Sequence, residues 1–156
     1  MFELDIPGFG RIKAEILVSD FTGTLSRDGT LIPGVDALLR RLAEVLEIRV
    51  LTFDSFGTAE RELAGLPCAV SLLSGEDGAE RKRDIVRRLG AHRVIAIGNG
   101  ANDRLMLEEA RLGIAVVEAE GAASGAVVAA DIVARDILSA LELPLNPRRL
   151  LATLRT

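Results

Sequence analysis

Asp20 stands where an apolar run stops. Ile16, Leu17 and Val18 are β-formers; Ser19 and Asp20 close the run, and Thr22, Gly23 and Thr24 follow. A strand that ends in a carboxylate and turns through glycine sets that carboxylate at the carboxyl edge of a buried strand, where open α/β sheets bind ligands. Aspartate is a competent nucleophile toward phosphorus and forms an acyl-phosphate. Thr52 closes a second short apolar run, residues 48–51, with a hydroxyl donor. A third run, 93–97, opens into Gly98-Asn99-Gly100-Ala101-Asn102-Asp103, which offers a carboxylate, amides and backbone N–H groups. Each turn read alone fits ordinary turn chemistry. Together they share a chemical theme: a nucleophile, a hydroxyl donor and a turn of carboxylate, amide and N–H groups.

Lys82 belongs with them. The chain holds seventeen arginines and two lysines, Lys13 and Lys82, so where any surface cation would serve it uses Arg. Lys82 also shares a helical stripe with Ile85, Val86 and Leu89, at i+3, i+4 and i+7. A lysine opening a core-facing stripe delivers a compact charge to a phosphate, or else snorkels over the core edge. Arg81, Arg83, Arg87 and Arg88 fall mostly off the stripe and read as a solvated face. His92 has no partners at ligand spacing and reads as a boundary residue.

Alternating short strands and helices must position these groups. Residues 2–6 and 11–19 flank Pro7-Gly8-Phe9-Gly10 and predict an opening hairpin. Asp28-Gly29, between short β-type runs, predicts a small flap directly after Asp20. Val35, Leu38, Leu39, Leu42, Val45 and Leu46 carry helical periodicity. Strands are expected at 48–51, 68–73, 93–97, 113–117 and 131–133. Helices are expected at 56–63, 78–89, 121–127, 135–143 and 147–154. Gly90 stops the second of these helices, and Asn102 N-caps a further one running to Ala110. Strands alternating with helices over short connections imply a doubly wound, Rossmann-like parallel sheet. Residues 1–156 read as a single domain.

Composition narrows the function classes. An apolar fraction of 49% and a mean hydropathy of +0.30 point to strands buried on both faces and to a homo-oligomer interface. No window reaches the ~18 uninterrupted apolar residues of a membrane span; the richest stretch, 122–134, contains Ser124 and Asp131. The acidic N-terminus lacks a basic region followed by an apolar run, so no secretory signal is expected. The single cysteine, Cys68, excludes an intrachain disulfide framework and reads as a core thiol. A net charge of −4, with no Trp or Tyr, offers nucleic acid neither a basic field nor stacking platforms. The expectation is a cytoplasmic protein without membrane or nucleic-acid partners.

DFTGTL at 20–25, the strand-end Thr52, Lys82 and GNGANDRLML at 98–107 resemble the four ordered motifs of the haloacid dehalogenase-like phosphohydrolase superfamily. Within it the motifs most resemble the phosphorylation domain of P-type ATPases, whose first motif reads DKTGT. It implies that Asp20 accepts the phosphoryl group, that Thr52 and Lys82 bind phosphoryl oxygens, and that Gly23 and Phe53 border them. It also implies a Mg²⁺ ion on the Asp20 carboxylate, the Thr22 main-chain carbonyl and the acidic turn of Asn99 and Asp103. Phosphoryl transfer is mainly positioning and charge neutralisation, which suits such a set.

Two departures stand out. Hydrolases of this superfamily usually carry a second Asp, the general acid/base, where this chain has Thr22. Loss of such a group costs about 10²–10⁴-fold, so a slow step is expected. Asn99 stands where the family's turn has a metal-binding Asp, and an amide brings no charge. Asp103 is then expected as the main acidic group of that turn. The short intervals between motifs leave no room for a cap or a nucleotide domain. The leading expectation is a capless, slow, magnesium-dependent phosphatase acting on a small phosphorylated substrate or a phosphorylated macromolecule. A regulatory module that binds a phospho-ligand without turnover, or a phosphotransferase, stands as the alternative.

Overall fold

A computed structural model describes all 156 residues. Strands β1 (Phe2–Ile6) and β2 (Gly10–Ala14) form the opening antiparallel hairpin. The run expected at 11–19 divides at Glu15. Beyond it, β3 (Ile16–Ser19) enters a second sheet and changes partners from antiparallel to parallel.

That second sheet is the frame of the molecule. β3 lies between β6 (Glu47–Thr52) and β8 (Val94–Gly98). β7 (Ala69–Leu72) flanks β6, while β9 (Leu112–Val116) and β10 (Ile132–Ala134) continue beyond β8. All six strands run parallel. From β3 the chain winds outward to β6 and β7, returns to β8 on the other side, and winds outward again. The boundary between β3 and β8 is therefore a switch point, and a crevice opens there at the carboxyl ends of the strands.

Side-chain alternation builds one core on each face. Leu17, Ile48, Val50, Ile95, Ile97 and Ile114 join Leu38, Leu39 and Leu42 of α1 (Val35–Leu42) and Ile137 and Leu141 of α6 (Ile137–Glu142). Ile16, Val18, Val94 and Ala96 face the other way, onto Val86 of α3 (Gly78–Leu89), Met106 and Leu107 of α4 (Arg104–Glu109), and Ala126 of α5 (Ser124–Ala129). Strands covered on both faces read as unbroken apolar runs, which accounts for much of the high apolar fraction. No helix is long and apolar enough to cross a membrane.

The flap is present as β4 (Ser26–Arg27) paired with β5 (Thr30–Leu31). Asp28 and Gly29 at its tip both take positive φ, 50° and 81°, the conformation a two-residue I′ turn needs. Local differences from the sequence expectations have physical causes. α1 stops at Leu42 because the following bonds tighten to i→i−3, at Glu44 to Arg41 and Val45 to Leu42. Val45 is thereby exposed while Leu46 stays buried. The helix expected at 56–63 shrinks to one turn, α2 (Ala59–Glu62), since the Asp54 carboxylate accepts the N–H groups of Thr58 and Ala59 at 3.0 Å each and holds the chain in a loop. Cys68 is half-buried rather than a core thiol, because β7 is an edge strand. Burial pushes its thiol pKa up, which disfavours the thiolate. The last helix, α7 (Pro147–Leu154), falls where proline at its start predicted it.

Candidate active site

Asp20 follows the last residue of β3, and its N–H donates to Ile97 O of β8 at 3.0 Å. The chain then coils around one carbonyl: the N–H groups of Thr24, Leu25 and Ser26 and the Ser26 hydroxyl all donate to Phe21 O. Gly23 makes the coil possible with a φ of +73°, which L side chains rarely adopt.

Lys82 arrives from the first turns of α3, fully buried. Its ammonium donates to Asp20 Oδ1 at 2.9 Å and to Asp103 Oδ1 at 2.8 Å. The Phe53 ring covers it from the cleft side, with its centroid 5.8 Å from Nζ, and adds a cation–π attraction. Burial alone would lower the lysine's pKa, but the two carboxylates outweigh it and hold the ammonium above its ordinary value.

Asp20 responds in the opposite sense. Burial, reinforced by the Asp103 charge and opposed by Lys82, pushes its carboxyl up to about 7. Its second oxygen receives one long contact, from the Thr24 hydroxyl at 3.3 Å, and that hydroxyl also faces Asn99 Oδ1 at 3.2 Å. One hydrogen shared between two acceptors leaves Asp20 Oδ2 under-solvated.

Asp103 occupies a place different from the one expected of it. Oδ1 accepts from Lys82, while Oδ2 accepts the N–H groups of Asn99 at 3.0 Å and Gly100 at 2.9 Å. It is fully buried and does not line the cleft. Asn102 is not a helix cap either. It sits in a 3₁₀ turn, Ala101–Asp103, that precedes α4, and its exposed side chain lines the cleft.

The cleft holds about 160 Å³ and is bordered by Asp20, Thr22, Thr52, Phe53, Asn99 and Glu120, among others. Thr52 Oγ1 accepts the Asp54 N–H at 2.9 Å, so the hydroxyl hydrogen is free to donate outward. Thr22 Oγ1 is the only buried side-chain polar atom without a hydrogen-bond partner. A wider groove of about 540 Å³ lies on the outer side of α3 among Arg81, Arg87 and Arg88, away from these groups. Asp20, Thr22, Gly23, Thr52, Phe53, Lys82, Asn99 and Asp103, picked from sequence, thus converge on one place. Glu120 was missed; an acidic loop residue with no periodic neighbours gives no signal in sequence.

No family model matches the chain. An uncharacterised protein of Methanocaldococcus jannaschii is 54% identical over 63 residues, which are 40% of this chain and 68% of that protein. Solved structures share the fold. The cobalt-bound form of the deoxy-D-mannose-octulosonate 8-phosphate phosphatase of Haemophilus influenzae matches with a TM-score of 0.71 at 16% identity, over 92% of this chain and 94% of that one. The Moraxella catarrhalis phosphatase of the same name, in complex with magnesium, phosphate and KDO, matches at 0.65 and 18% identity, over 89% and 90%. A Legionella pneumophila structure assigned to subfamily IIIA of the haloacid dehalogenase superfamily matches at 0.67 and 17% identity, over 91% and 87%.

Proposed function

We propose that this chain, which belongs to one family with the Methanocaldococcus jannaschii protein and carries the haloacid dehalogenase-like fold, is a metal-dependent phosphohydrolase working through a phosphoaspartate on Asp20. One observation carries the reading. At the switch point of the sheet, a carboxylate has one oxygen fixed by a buried ammonium at 2.9 Å and the other turned to a cleft edged by a free hydroxyl donor, Thr52.

The chemistry follows from that placement. Asp20 Oδ2 attacks the phosphorus of a bound phosphate ester, and the bond from phosphorus to the leaving oxygen breaks. Water then attacks the phosphoaspartate, releases inorganic phosphate and regenerates the carboxylate. Lys82 neutralises charge on nucleophile and phosphoryl group, while Thr52 donates to a phosphoryl oxygen. Asp103 serves as the anchor of Lys82 and leaves the metal to others. With Thr22 in the general acid/base position, leaving-group and water activation go unassisted and turnover is slow.

A divalent cation fits the donors present. The Asp20 carboxylate, the Thr22 main-chain carbonyl and Asn99 Oδ1 are hard oxygens of the kind magnesium prefers, and the orphaned Thr22 hydroxyl marks a lining that bound solvent or ligand completes. When bound, the ion supplies charge neutralisation at the phosphoryl oxygens. The cobalt and the magnesium with phosphate in two of the structural relatives support this choice. A cleft of about 160 Å³ receives a phosphoryl group and little of what it is attached to, so the substrate is a phosphate monoester that projects into solvent.

Mass spectrometry after exposure to acetyl phosphate and magnesium tests the reading. A phosphate-sized adduct is expected on the native chain and absent from Asp20→Asn, with slow release of phosphate from p-nitrophenyl phosphate. Absence of both adduct and phosphate release would leave a ligand-binding module in its place.

A further inference from the structure

We propose that Glu120 is a further ligand of the metal, supplying the negative charge that Asn99 lacks, and that the Asn99 amide holds the loop presenting it. The inference rests on the reading of this cleft as a magnesium-dependent phosphotransfer site.

Position comes first. Glu120 lies in the tight turn after β9, closed by Gly121 N–H donating to Glu118 O at 2.8 Å. Both flanks of that turn are tied down. On one side the Glu118 carboxylate accepts the Ile137 N–H at 2.7 Å. On the other, Asn99 grips the chain twice: its carbonyl accepts the Ala123 N–H at 2.8 Å, and its Nδ2 donates to Gly121 O at 3.1 Å. The Glu120 side chain is thereby carried over the Asp20 coil. Glu120 Oε2 and Asn99 Nδ2 lie 2.5 and 2.7 Å from a single point, the place a Cβ on Gly23 would occupy. Glycine at 23 leaves both side chains the room that a Cβ would take.

Charge points the same way. Arg27 faces Glu118 at 3.9 Å, and Glu120 has no ion-pair partner. Around the cleft, Asp20, Asp103 and Glu120 share the single ammonium of Lys82, and a divalent ion supplies the opposite charge that these carboxylates lack when ionised. Magnesium binds through carboxylates and carbonyl oxygens and keeps several waters, so a carboxylate on a solvent-facing loop suits it. Asn99 is then more than a weakened ligand. Aspartate there would set a carboxylate oxygen against Gly121 O and free the loop.

The test uses the full chain and Mn²⁺ as a probe, with free ion followed by electron paramagnetic resonance and Mg²⁺ added as competitor. Glu120 is exposed, so Glu120→Gln folds, which its circular dichroism checks. Glu120→Gln is expected to weaken Mn²⁺ at least tenfold, while Glu44→Gln, an equal charge change on the distant surface, shifts it less than twofold. Asn99→Ala, which removes a donor oxygen as well as the grip on the loop, is expected to weaken it more, and the double variant Asn99→Ala/Glu120→Gln to lose less than the sum of the two, since part of each loss is the same. Native-like affinity in Glu120→Gln, together with lost binding in Asp20→Asn, overturns the role of Glu120 and leaves the cleft reading standing. Fully additive losses in the double variant overturn the loop coupling. If the native chain binds no Mn²⁺, or Asp20→Asn binds it unchanged, the metal site itself falls.

Discussion

Lys82, Asp20 and Asp103 form a closed unit beneath the cleft, whereas Thr22, Asn102 and Glu120 stand around its mouth with little to hold. Every charged atom of the lower unit except Asp20 Oδ2 has a short partner, and Lys82 and Asp103 are both 0% exposed. The upper residues are exposed, or in the case of the Thr22 hydroxyl buried without a partner. The lower unit is thus part of the fold's own electrostatic balance, and the upper one is balanced only when something binds. Substitutions below should change stability together with function, and substitutions above should change function alone.

The sharpest way to break that contrast is Lys82→Met. It leaves two buried carboxylates without their counter-charge, and removing one partner of a buried pair typically costs about 3–5 kcal/mol. Urea unfolding should show a loss of that size; a loss under about 1 kcal/mol would place Lys82 with the upper group. Asp20→Asn is the next most telling. Its carboxyl titrates near 7 in the folded chain against 3.8 ordinarily, so the folded state holds the proton more tightly. Stability from this group is present at low pH and falls as pH rises between those values. In chelator, the native chain should lose melting temperature across that interval relative to Asp20→Asn. A gap that stays constant with pH would contradict the burial of this charge. Smallest is Asn102→Ala on the rim. It should stay within about 0.5 kcal/mol of native stability while KM for p-nitrophenyl phosphate rises a few-fold.

Legibility in the sequence follows the same division. Groups at strand ends announce themselves, because an apolar run that stops at Asp20 or Thr52 has one geometric meaning in a parallel sheet. Lys82 was legible because helical periodicity aimed it inward in a chain that otherwise uses Arg. The doubly wound topology, the Asp28-Gly29 flap and α3 with its Gly90 stop came through for similar reasons. The division of labour within the turn 98–103 did not. Asp103 and Asn99 look alike as oxygen donors in a string of letters, and only the backbone shows that Asp103 is consumed by two N–H groups and a lysine. Glu120 was invisible because its turn is held by side-chain bonds from residues distant in sequence, Asn99 to Gly121 and Glu118 to Ile137. Helix lengths failed where side chains captured backbone groups, as Asp54 does ahead of α2.

The lysine's two bonds also join distant parts of the chain, Asp20 lying 62 residues before Lys82 and Asp103 21 residues after it. Contacts of such span come together only once the intervening loops have closed. Interactions absent from the transition state act on the rate of unfolding and leave the rate of folding almost untouched. The ammonium beneath the cleft is therefore expected to act as a late-closing latch. Stopped-flow traces of Lys82→Met should show the unfolding limb accelerated and the refolding limb nearly superimposed on that of the native chain.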